Sequence, residues 1–147
     1  MELTRLLWGA GAELAAGATI ENIGDRLDRD MLGADPAGSY AVSAKAAAAA
    51  FLRPGALDAA CAVSYGPVPG SVYAGHRLIG VLIHGWDLAT ATGQGTALDA
   101  RLMETCRQII RPQLGLFRRA GALAAESPVP PDATPQTPFL AMLSRSR

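Results

Sequence analysis

From Val72 to about Thr92 the chain runs without a proline, with apolar residues at helical spacing. Pro67, Pro69 and Gly70 punctuate the chain just before this run, Ser71 offers a side-chain cap, and Gly93 offers a terminator in the left-handed conformation. This is the expected central helix, and the other apolar segments must pack around it. Leu3, Leu6, Leu7, Ala10 and Leu14 predict an amphipathic helix over Met1–Ala16, ended by Gly17. Ile20–Leu32 is more polar and reads as a short helix or loop. Asp35-Pro36 is a helix start, a cap residue followed by proline in the first turn. The Ala-rich run to Leu52 follows, with Tyr40, Ala44, Ala47 and Phe51 on one side, and Arg53-Pro54-Gly55 stops it.

Ala59–Gly70 is a turn-rich connector with room for a short extended piece at Ala60–Ser64. Thr96–Asp99 opens the last long helix, whose inner face is Leu102, Met103, Cys106, Ile109 and Ile110. Pro112 is expected to kink this helix rather than end it, because Leu114, Leu116 and Phe117 continue the pattern. The five prolines between Ser127 and Pro138 predict an irregular tail, closed by a docking turn over Phe139–Leu143. No internal repeat or interdomain linker is visible. The expected fold is a single all-α domain over residues 1–147, a helix bundle with little strand.

The composition excludes several partners. With 147 residues, half of them hydrophobic, the chain can bury a real core. Thirteen basic residues balance thirteen acidic ones, so the positive excess that phosphate backbones select is missing and nucleic acid is not expected. Uninterrupted apolar stretches such as Leu78–Ile83 fall far short of the ~20 residues that span a bilayer, so no membrane partner is expected. Met1-Glu2 opens no basic, then apolar, leader, and Cys61 and Cys106 stand far apart without metal or redox spacing. A reduced, cytoplasmic setting follows.

The chemistry concentrates on the central helix, which carries both histidines of the chain. His76, Gly80 and His84 fall at i, i+4 and i+8 and share one face. The two histidines stand ~12 Å apart along the axis, too far to grip one ion without a ligand between them, and Gly80 has no side chain to offer. His84 is the better metal candidate and His76 the weaker. The alternative for His84 is a core histidine bonded to a carbonyl or carboxylate. Asp87, one turn on, suits a carboxylate that orients the imidazole, or a solvated helical acid. Trp86 reads as a core or interface residue with its indole N–H bonded. Arg77 is placed to bind a substrate carboxylate, or is simply solvated. Cys106 lies on an inner helix face as a small hydrophobe, and nothing near Cys61 in sequence lowers its pKa.

The segment Leu82-Ile83-His84-Gly85-Trp86-Asp87-Leu88-Ala89-Thr90-Ala91-Thr92-Gly93-Gln94 resembles the helix motif of the mycothiol-dependent maleylpyruvate isomerase-like proteins, within the wider DinB-like metalloenzyme group. Residues 17–27, Leu32-Gly33-Ala34-Asp35-Pro36, Pro54-Gly55-Ala56-Leu57-Asp58 and residues 130–137 agree with the same group, so the resemblance covers nearly the whole chain. It implies a DinB-like four-helix bundle binding a divalent metal, zinc first, through two histidines and an acid. The metal activates a low-molecular-weight thiol such as mycothiol, or water, for isomerase or transferase chemistry on a small-molecule substrate.

Carried over by position, His84 matches the last ligand, the acidic position four residues earlier is Gly80, and the first histidine has no counterpart. Met1–Trp8 matches the part of the family's second helix just after that histidine. The expectation is therefore a shortened relative lacking the first helix and part of the second, with a degraded metal site and a homodimer covering the open wall of the bundle. Two other outcomes stand beside it: a metal-free relative that keeps the fold to bind a small ligand or a protein, and a remnant with a loose core.

Overall fold

The computed structural model describes residues 11–25, 30, 33–63, 66–119 and 121–146. Most of these are helical, and one two-stranded hairpin interrupts the helices. The expected helix over Met1–Ala16 falls largely outside the described residues; its end is seen as α1, Gly11–Ala15, and Gly17 turns the chain out of it at φ +94°. The chain divides into two compact units, Met1–Arg77 and Leu78–Arg147.

In the first unit, α2 (Ile20–Ile23) is a single turn held by a reciprocal cap. The Thr19 hydroxyl accepts from the Asn22 N–H, and the Asn22 side chain accepts from the Thr19 N–H. Helix α3 (Pro36–Phe51) begins where Asp35-Pro36 requires, with Asp35 Oδ1 accepting from Gly38 N at 2.9 Å. Its buried positions are Ala47 and Ala50, with Phe51 partly covered, whereas Tyr40 and Ala44 are exposed. The inward face is therefore narrower than the expected Tyr40–Ala44–Ala47–Phe51 stripe, with Phe51 packed against the cluster that contains Leu14 of α1.

Strand β1 (Ala60–Val63) pairs antiparallel with β2 (Gly66–Pro69) in the register Cys61↔Val68 and Val63↔Gly66. The extended piece at Ala60 is as expected. Its partner hid behind Pro67 and Pro69, which a central strand excludes but a two-stranded ribbon accepts on its open edge. Alternation in β1 turns Cys61 and Val63 inward, where they join Leu14, Ile23 and Tyr73 in one apolar cluster. The Phe51 and Tyr73 rings meet in it at 5.7 Å, tilted by 52°.

Helix α4 (Gly70–Ala91) is the central helix and starts two residues earlier than the sequence suggests. Ser71 lies inside its first turn rather than capping it. The backbone does that work: Gly70 N donates to Ala59 O and Ser71 N to Leu57 O, both at 2.8 Å. A side chain at Gly70 would collide with the Ala56 carbonyl, so this entry needs glycine. At the other end Gln94 N donates back to Ala89 O at 2.8 Å with Gly93 at φ +69°, the expected stop.

The second unit contains residues 78–91 of α4, helix α5 (Ala100–Ile110), a 3-10 turn at Arg111–Gln113, α6 (Leu114–Arg119) and α7 (Gln136–Met142). Asp99 Oδ1 caps α5 by accepting from Arg101 N and Leu102 N. Met103, Cys106 and Ile110 face inward as expected, while Leu102 is 41 % exposed. Pro112 sits in the 3-10 turn, and the chain resumes as α6, with Leu114 and Phe117 against the core and Leu116 left exposed.

The tail is more ordered than its prolines suggest. Helix α7 starts at Gln136, and Pro138 is tolerated because a first-turn N–H has no helical acceptor. Phe139, Leu140, Met142 and Leu143 go fully into the core beside Ile79, Ile83 and Trp86. Gln136 fixes this docking: its Nε2 donates to Thr96 O at 2.8 Å, and its Oε1 accepts from Leu98 N at 2.9 Å. No helix among the described residues is long and apolar enough to cross a membrane.

Candidate functional site

The central helix delivers its chemistry to both units. His76 and Arg77 belong to the first; His84, Trp86 and Asp87 belong to the second. The i, i+3 spacing brings His84 Nδ1 within 3.4 Å of Asp87 Oδ2, with each side chain 36 % exposed. This is the expected neighbour, at long hydrogen-bonding range. His84 Nε2 makes no hydrogen bond to a described residue.

The third member of the cluster is Arg145. Its Nη2 donates to Asp87 Oδ2 at 2.8 Å and its Nε to Asp87 Oδ1 at 3.2 Å, a two-pronged grip on the carboxylate. Its Nη1 donates to Leu143 O at 2.9 Å. Arg145 reaches this position through the end of α7. Arg145 N donates to Leu140 O, and Ser144 adopts φ +63° where a glycine usually serves. That left-handed residue turns the chain back towards α4.

The hydrogen bonds from Arg145 hold the Asp87 carboxyl below its ordinary value. Burial works against this, and the Arg145 charge and the His84 contact add to it. Asp87 is thus a fixed anion beside the imidazole. No sequence signal in the local motif marks Arg145, because it lies 58 residues away.

Trp86 is buried in the core of the second unit, as expected, but its indole N–H finds no partner there. The helix places the ring among Ile79, Ile83, Met103 and Phe139, which carry no acceptor. Cys106 is fully buried, and burial pushes its thiol up; burial does the same to Cys61. Both behave as small apolar side chains.

These donors do not fit a resident catalytic metal. Among the described residues no group of three His, Cys, Asp or Glu side chains could hold an ion. The carboxylate nearest His84 already has both oxygens engaged by Arg145. A catalytic zinc needs three protein ligands and an open position, and His84 supplies one.

No protein-family model matches the chain, and no solved structure matches it. Two uncharacterized proteins of Mycobacterium tuberculosis, one from each of two strains, are 40 % identical to it over 121 residues. That similarity covers 77 % of this chain and 65 % of each relative, so the chain spans slightly less than two thirds of the length of the curated relatives it matches.

Proposed function

We propose that this chain is a DinB-like helical protein of the mycothiol-dependent maleylpyruvate isomerase type, with its functional site centred on His84. The observation that supports this is the His84–Asp87–Arg145 cluster. A metal-binding histidine typically gives one ring nitrogen to a carboxylate and the other to the ion. Here Nδ1 faces Asp87 at 3.4 Å, Arg145 locks Asp87 in place, and Nε2 makes no hydrogen bond to a described residue. Asp87 therefore acts on the orientation of the ring rather than as a ligand.

The proposal includes what the resemblance implies: a divalent cation, zinc first, a thiol such as mycothiol as co-substrate, a small-molecule substrate, a cytoplasmic setting and a homodimer. Thiol-dependent isomerase or transferase turnover is assigned only to a protein in which two further ligands join His84. The residues described for this chain hold the histidine ready and bring no second donor to it.

The second reading is a metal-free relative that keeps the fold to bind a small ligand or a protein. The engagement of both Asp87 oxygens by Arg145 favours it, since the acid nearest His84 is already ion-paired. Metal content per chain, by elemental mass spectrometry on protein purified without chelator, tests the first reading. It predicts well under one equivalent of copurified zinc, and added zinc bound through a site that His84→Ala removes. If wild type and His84→Ala take up added zinc alike, His84 is not the site and the metal-free reading stands.

A further inference from the structure

The first compact unit holds a second polar cluster, independent of His84. Tyr73 is 5 % exposed, and its phenolic oxygen has no hydrogen-bond partner among the described residues. Arg77 follows one turn later on the same helix, so the two side chains are neighbours, ~5–6 Å apart at Cβ. Arg77 is half-buried and forms no ion pair with a carboxylate among the described residues. The groups that act on its charge are the phenols of Tyr73 and of Tyr40 on α3. Burial lowers the Arg77 pKa and raises that of Tyr73, so both pay for desolvation. Cys61, the remaining titratable neighbour of Tyr73, has its thiol pushed up by burial and brings no negative charge.

A half-buried guanidinium without a counter-ion and a buried hydroxyl without a partner, as these are among the described residues, are each costly alone. One ligand offsets both costs. The guanidinium only donates, and the phenol at neutral pH has a proton to give. The missing group is therefore an acceptor carrying negative charge. One fixed cation matches one carboxylate better than a phosphate dianion.

We propose that Arg77 and Tyr73, with the more exposed Tyr40 beside them, form a binding site for a small carboxylate. Arg77 supplies the charge and Tyr73 donates one hydrogen bond. No covalent step is involved.

The test is a titration of the whole chain with butyrate, following the Arg77 Nε–H signal by NMR, with inorganic phosphate as comparator. Wild type is expected to give a saturable shift. Tyr73→Phe should weaken butyrate binding about ten-fold or more, the usual effect of removing a hydrogen bond to a charged group. The same substitution should leave the melting temperature unchanged or higher, because it removes only an unpartnered hydroxyl. Arg77→Gln should abolish binding; if that variant does not fold, Tyr73→Phe decides alone. A wild-type titration without saturation overturns the proposal, as does unaltered affinity in Tyr73→Phe. A sharp fall in Tyr73→Phe stability overturns it too, and tighter binding of phosphate than of butyrate overturns the carboxylate assignment.

Discussion

Asp87 joins two kinds of information at one carboxylate. His84 reaches it along the helix, and Arg145 reaches it from the far end of the sequence. The local half of that arrangement is legible in His84-Gly85-Trp86-Asp87, because three residues along a helix is one turn. The distant half is not, since no periodicity links Arg145 to Asp87. Asp87→Asn should lower stability by about 1 kcal/mol or less, because the ion pair is more than a quarter exposed at both ends. A shift in the urea midpoint at constant slope would show it. The pH dependence follows from the depressed carboxyl. The contribution of Asp87 is fully present above its unfolded value of 3.8 and is lost as pH falls below that through the folded value. The stability gap between wild type and Asp87→Asn should hold constant at neutral pH and shrink in acid below 3.8; a gap that widens there would mean that the fold does not favour the ionised carboxylate. Ser144 offers a separate check. Its φ of +63° suits glycine, so Ser144→Gly should be neutral or stabilising by up to about 1 kcal/mol in thermal unfolding.

Among the elements, those defined by local chemistry were legible and those defined by distant contacts were not. Asp35-Pro36, Asp99 and Gly93 each set a helix boundary through backbone groups two to five residues away, and each does so in the structure. The second strand escaped because Pro67 and Pro69 look like turn residues until a ribbon edge is available. The docking of Phe139–Leu143 was legible, but the start of helix α7 was not, because it depends on Gln136 bonding Leu98 and Thr96, about forty residues earlier. Gln136→Ala should therefore cost about 1–3 kcal/mol, since it strands a backbone donor and a backbone acceptor. Hydrogen exchange should show the loss at the Leu98 amide first. Gly70→Ala should cost about 1–3 kcal/mol through collision with the Ala56 carbonyl, seen as a lower melting temperature. An unchanged melting temperature would mean that the helix entry is looser than its geometry.

At the scale of the whole molecule, one helix supplies polar groups to two compact units, each with its own apolar cluster. The helical class was legible from spacing, and the hairpin is the departure from it. Of the candidate site residues, His84 and Asp87 come together as a pair, whereas His76 and Arg77 belong to the other unit. The 40 % identity to two mycobacterial proteins covers most of this chain and adds no chemistry of its own. The reading therefore rests on whether His84, and not His76, is the residue that meets a cation. A zinc titration followed at the two histidine rings by NMR tests this most directly. A saturable shift of the His84 ring signals is expected, with His76 unmoved and the response absent in His84→Ala. A response at His76 alone, or none at either ring, would contradict it.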